Sequence, residues 1–135
     1  MKANELMLGD LVLYEYNSER FTARVKEIYT ETVRVEEING EYEIIGISIE
    51  DIYPIELTQE ILEKNGFKWE NGPYSRWCHA QVERMIITLY RSDTFYSITI
   101  HTDDYLPVLN NIQLHSVHEL QHALRLCGID KEIEL

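Results

Sequence analysis

Apolar and polar residues alternate along much of this chain with a period of two, the mark of strands half-buried on one face. In FTARV (21–25), Phe21, Ala23 and Val25 alternate with Thr22 and Arg24. The alternation slips by one at Lys26-Glu27 before Ile28, which predicts a bulge or a strand end there. LVLYEY (11–16), after a turn at Gly9-Asp10, predicts the preceding strand. TVRVEEI (32–38) and EYEII (41–45) predict two more, and ISIEDIYPI (47–55) a fifth ahead of Pro54. Asn39-Gly40 between two of these runs predicts a type I′ hairpin, because both residues accept positive φ. Five short strands joined by tight turns predict a small curled sheet or SH3-like barrel.

The period changes at LTQEILEKNGF (57–67), which predicts a connector helix over 58–65. Thr58 is its N-cap, Leu57 and Leu62 form a hydrophobic staple, and Asn65-Gly66 closes it in the left-handed conformation with Phe67 folded onto Leu62. Alternation then returns, with strands expected over about 67–115. FKW and YSRW around ENGP (70–73) predict an aromatic hairpin, ERMIITLYR (83–91) and TFYSITIH (94–101) two strands, and NIQLH (111–115) another beyond Pro107. At about 100° per residue, Val117, Leu120, Ala123, Leu124 and Cys127 share one face of a helix spanning 117–127. Ser116 as N-cap and Glu119 three residues on form a capping box, with Glu119 reaching back to the Ser116 backbone N–H. Gly128 ends the helix with Ile129 folded onto Leu124, and IEL (133–135) predicts a last edge strand. The expected fold class is therefore α+β. Residues 1–56 form an SH3-like β subdomain, and 57–135 form an α+β subdomain whose antiparallel sheet packs with the C-terminal helix, the two making one compact unit.

Composition narrows the partners. The chain carries 24 acidic against 12 basic residues, a formal net charge of −12. Such a field repels phosphate backbones, so direct nucleic-acid binding is disfavoured; the acidity serves solubility or meets a basic protein partner. No apolar run is long enough to cross a membrane, and the N-terminus lacks the apolar stretch of a signal peptide, which predicts a cytoplasmic protein. Cys78 and Cys127 form no C-x-x-C pair and are expected to be buried thiols in a reducing compartment. Tyr14, Tyr16, Tyr29 and Tyr53 could make an aromatic binding surface or, more simply, fill the core and sheet faces.

One segment spells out chemistry. HELQH (118–122) fits H-E-x-x-H, in which two histidines one helical turn apart hold zinc and the glutamate acts as base. The hydrolase reading makes His118 and His122 ligands and Glu119 the base, with His115 as a third ligand. Two observations oppose it. The histidines fall nearly opposite the apolar stripe, and the extended form of the motif needs Gly and His where Arg125 and Gly128 stand. Glu119 is also explained by capping. Cys78-His79 has no second pair at zinc-finger spacing, and Asp103-Asp104 reads as a polar turn. No catalytic residue, metal or cofactor is therefore expected, and the chain is expected to be non-enzymatic.

The opening MKANELMLGDLV, the middle IYPIELTQEILEKNGF and the close VHELQHALRLCG resemble a group of small uncharacterised proteins of anaerobic gut bacteria and their phages or mobile elements. The group is similar in an MKANELRIGN-like start, a P-I-P-L-T-E-E-x-L-x-K-F-G-F segment and a V-H-x-L-Q helix, matched late in this chain by His118, Leu120 and Gln121. Glu119 and His122 lie outside that recurrent part. The resemblance implies a phage or mobile-element source and carries no known chemistry. The barrel-like strand rhythm, the acidic charge and the incomplete catalytic set lead to the expectation of a non-enzymatic interaction or accessory protein with a protein partner.

Overall fold

A computed structural model describes residues 1–40, 42–70 and 76–135. The chain is α+β and divides into two units, Met1–Ile55 and Glu56–Leu135. Each is built on one five-stranded antiparallel sheet.

The first unit is a meander. β1 (Leu11–Tyr16), β2 (Glu19–Ile28), β3 (Thr32–Glu37) and β4 (Glu43–Ser48) follow in order. A single 3-10 turn, Ile49–Asp51, then leads to β5 (Ile52–Pro54), which returns to pair with β1. The sheet order is β4-β3-β2-β1-β5, and it is not closed. Period-two alternation places Val12 and Tyr14, Ala23 and Val25, and Val33 and Val35 on one face, where they meet Leu6, Ile49 and Ile52 in the core. Asp10, fully buried, holds the turn before β1: its carboxylate accepts from the Met7 N–H at 2.7 Å.

Several local expectations hold. The β2–β3 register shifts between Val25 and Glu27, the bulge foreseen at Lys26. The turn chemistry differs. The type I′ turn joins β1 to β2 at Asn17-Ser18, whose φ values are +52° and +64°. The β3–β4 hairpin is centred on Asn39-Gly40, with Glu36 opposite Glu43, yet neither residue takes a left-handed φ. Gly40 is needed for space instead: a Cβ there would collide with the Glu37 carboxylate. Ile47 and Ser48, expected in a separate fifth strand, extend β4 past Gly46, whose φ of +79° accompanies a register shift.

In the second unit α1 (Gln59–Lys64) starts at Thr58, whose hydroxyl accepts from the Ile61 N–H at 3.3 Å. It ends at Gly66 (φ +86°), where the Phe67 N–H reaches the Leu62 carbonyl at 3.0 Å. The sheet runs β6 (Lys68–Trp69), β7 (Trp77–Val82), β8 (Met85–Arg91), β9 (Tyr96–Thr102) and β10 (Pro107–Leu114), in the order β10-β9-β8-β7-β6. The expected aromatic hairpin is seen as β6 paired with β7; its tip at 71–75 lies outside the described residues. β7 extends through Val82, and Glu83-Arg84 form the turn to β8 rather than its start. Cys78, Ile87, Leu89, Ile98 and Ile100 make the fully buried face of this sheet. β10 is a mostly exposed edge with two register shifts and a positive φ at Asn111, features that discourage further strand pairing.

α2 (Val117–Leu126) closes at Gly128 (φ +70°), with the Ile129 N–H on the Leu124 carbonyl at 2.9 Å. Residues 133–135 form no strand. Their place is taken by a side chain: the Asn65 amide accepts from the Glu134 N–H at 2.8 Å and donates to the Glu134 carbonyl at 2.7 Å. That pairing leaves Ile133 buried without a ladder.

Candidate functional site

The HELQH segment lies on α2, with the two histidine rings edge to face and their centroids 5.5 Å apart. The surroundings differ from the helical-wheel expectation. His118 does not look into water; it is 5% exposed, with its Nδ1 2.9 Å from the Ser116 hydroxyl oxygen. A helix's own periodicity reports the face it buries with apolar residues. It does not report that an imidazole can also be enclosed once a hydroxyl satisfies its ring nitrogen. His122 is half-buried.

Capping departs in the same place. The Ser116 side chain makes no cap hydrogen bond, being turned to His118. Glu119 accepts from the His115 N–H at 2.7 Å, one residue earlier than the expected Ser116 N–H. The His115 ring is exposed, with its Nδ1 3.6 Å from the same carboxylate and its centroid 6.1 Å from the Phe95 ring. Among the described residues, no three His, Cys, Asp or Glu side chains converge where a metal ion could sit. Asp103 and Asp104 both face Arg84, at 3.3 and 3.4 Å. Cys78 is wholly buried, and its thiol is pushed up to about 12, chiefly by desolvation. Such a group stays a neutral thiol and makes a poor nucleophile.

The four tyrosines separate. Tyr14 is buried and Tyr53 half-buried beneath the Arg20 guanidinium, 4.0 Å from the ring centroid. Tyr29 is half-exposed and donates to Glu27. Tyr16 is exposed and helps form the site that stands out in the first unit. This is an open groove of about 660 Å³ lined by Tyr14, Tyr16, Phe21, Glu37, Tyr42, Glu43, Ile44 and Ile45.

The groove arises from strand alternation. The core-facing positions of β1, β2 and β3 run Val12, Tyr14, Tyr16; Val25, Ala23, Phe21; and Val33, Val35, Glu37. Toward the hairpin ends this face outruns the core and opens to solvent. Tyr14 and Phe21 stack there with centroids 5.3 Å apart. Tyr42 and Ile45, 71% and 72% exposed, form the far wall.

Glu37 occupies the position where the β3 pattern calls for a third apolar residue. Its carboxylate accepts a hydrogen bond from the Tyr14 hydroxyl and packs over Gly40. Burial, and then this bond, push the Tyr14 phenol well above its ordinary value, so it remains a donor. Among the described residues Glu37 makes no ion pair. Arg20 lines an adjoining cavity shared with Glu37 and Phe21, its guanidinium engaged by Glu15 at 3.3 Å and by the Tyr53 ring. Glu43, by contrast, has Arg34 at 3.4 Å. Sequence reading picked out Tyr14 and Tyr16 but missed Phe21, Glu37, Tyr42, Glu43, Ile44 and Ile45. The one visible signal was Glu37, a charge breaking the Val33, Val35 alternation.

A second, more polar cavity of about 310 Å³ lies in the other unit, beside Thr58, Gln59, Arg91, Phe95 and His115. Arg91 stacks on Trp69, 4.0 Å from the ring centroid, and donates to the Gln59 side-chain oxygen at 3.1 Å. These contacts hold the guanidinium as part of the packing.

Compared with protein-family models, curated protein sequences and solved structures, the chain matches none.

Proposed function

We propose that this protein is a non-enzymatic protein-interaction module, cytoplasmic and of phage or mobile-element type, whose N-terminal unit is an SH3-like barrel. The barrel reading is supported by the order β4-β3-β2-β1-β5, by the 3-10 turn before β5 and by the return of β5 to β1. The cellular setting follows from the resemblance of the chain's start, middle and late helix, and from two free cysteines.

One observation carries the functional reading: an exposed aromatic groove at the open end of the first sheet. Aromatic rings give large, rigid contact area at low entropic cost, and such residues anchor protein interfaces. Nucleic acid is the weaker fit, since Glu37 and Glu43 line the groove of a chain with net charge −12.

The test is gentle co-purification of the tagged chain from its native host after cross-linking. A specific stoichiometric partner is expected for the wild type and lost for Tyr42→Ala and Ile45→Asp, exposed positions that leave the core intact. A chain that returns alone, or variants that retain the partner in full, would overturn the reading.

A further inference from the structure

We propose that the groove is a receptor for a cationic side chain, Lys or Arg, presented by a segment of the partner protein. The inference rests on the interaction reading above and adds the chemistry of the occupant.

Glu37 is a half-buried carboxylate at the solvent-open end of the core face, where an incoming cation can reach it. The Tyr14 hydroxyl satisfies one oxygen, and Gly40 leaves space for the carboxylate to lie over the hairpin backbone. Its negative charge forms no ion pair among the described residues, since Arg20, which lines the adjoining cavity, is turned to Glu15 and Tyr53. Phe21 and Tyr42 line the groove with it, and a cation near an aromatic face is attracted by the ring's negative quadrupole. Ile44 and Ile45 add apolar surface of the kind that covers the aliphatic stem of Lys or Arg. The combination is therefore specific: rings for the charged head, a fixed carboxylate beside them and aliphatic wall for the stem. A neutral apolar ligand would leave Glu37 desolvated and unpaired, and an acidic one would be repelled by Glu37.

The decisive experiment titrates the full chain with short synthetic peptides alternating Lys and Val, followed by amide NMR. Matching peptides carry Arg, norleucine or Glu in place of Lys. Lys and Arg peptides are expected to shift the amides of Phe21, Glu37 and residues 42–45. The norleucine peptide, equal in stem but uncharged, should bind about tenfold or more weakly, and the Glu peptide not at all. Glu37→Gln keeps an acceptor for Tyr14 but loses the charge. It should weaken the Lys peptide about tenfold and leave the norleucine peptide unchanged. Tyr42→Ala should weaken the Lys peptide severalfold without disturbing the dispersed spectrum of the fold.

Equal binding of Lys and norleucine peptides would overturn the cation assignment while leaving the interaction reading standing. So would shifts scattered over exposed carboxylates outside the groove, or a Glu37→Gln variant that binds as wild type. Loss of the interaction reading itself has a separate signature, partner capture that survives Tyr42→Ala and Ile45→Asp.

Discussion

At Cys78 the surrounding sheet decides the ionisation of a single atom. Desolvation raises the thiol from an ordinary 9.0 to about 12, and the nearby Arg91 charge only partly opposes it. Folding thus favours the neutral form. The resulting stability is fully present below pH 9 and is lost as pH climbs from 9 toward 12. Tyr14 and Tyr96 are shifted upward too, each chiefly by burial, so they add to the same alkaline loss above pH 10. Urea midpoints should therefore hold steady from pH 7 to 9 and fall beyond it, with a shallower fall in Cys78→Ala. In the native protein at neutral pH, iodoacetamide should reach Cys78 only on unfolding, when the thiol regains its ordinary acidity.

Among the elements, α2 tests what HELQH is for. Glu119 accepts from the His115 N–H, so Glu119→Gln, which keeps an acceptor, should cost less than about 1 kcal/mol in urea unfolding. Leu120, fully buried, should cost about 2–5 kcal/mol as Leu120→Ala. His118→Ala should fall between them, at about 1–3 kcal/mol, because it empties a buried, hydrogen-bonded site. Helix ends and the β2 bulge were legible in the sequence because they depend on neighbours in the chain: Thr58, Gly66 and Gly128 for the ends, and the slip at Lys26 for the bulge. β7 was only half legible, since WCHAQV holds few β-branched residues and its buried positions are the small Cys78 and Ala80. The turn at Asn17-Ser18 was missed because Ser rarely takes positive φ. The groove was hidden for another reason. Its walls come from four separate strands, β1 to β4, and only strand register brings Glu37 beside Tyr14 and Phe21.

For the molecule as a whole, charge and division into units set the response to solvent and mutation. With a net charge of −12, self-repulsion opposes the compact state and salt screens it. The melting temperature should rise by roughly a few degrees between about 0.01 and 0.5 M NaCl, as calorimetry would show; a fall would mean that ion pairs such as Lys26–Glu36 outweigh the repulsion. The units Met1–Ile55 and Glu56–Leu135 each carry their own sheet. Val35→Ala, deep in the first core, should therefore lower hydrogen-exchange protection across β1–β5 and leave β7–β9 protected. Among the described residues, no helix is long and apolar enough to cross a membrane.

The amide of Asn65 has a consequence in time. Asn-Gly is the dipeptide most open to spontaneous loss of ammonia, because the following glycine nitrogen can attack the side-chain carbonyl through a five-membered ring. At Asn65-Gly66 that attack is blocked while the fold lasts. The Gly66 N–H is held by the Glu63 carbonyl at 3.1 Å, and the Asn65 amide nitrogen donates to Ile61 and Glu134, each at 2.7 Å. Asn39, exposed at its hairpin tip, shows no such restraint among the described residues. In stored protein, peptide mapping should find Asn39 converted while Asn65 is preserved until the chain unfolds. An aspartate at 65 would then meet the Glu134 carbonyl with an oxygen instead of an N–H. For this unit the first unfolding could thus leave a chemical mark that keeps the C-terminal segment from docking again.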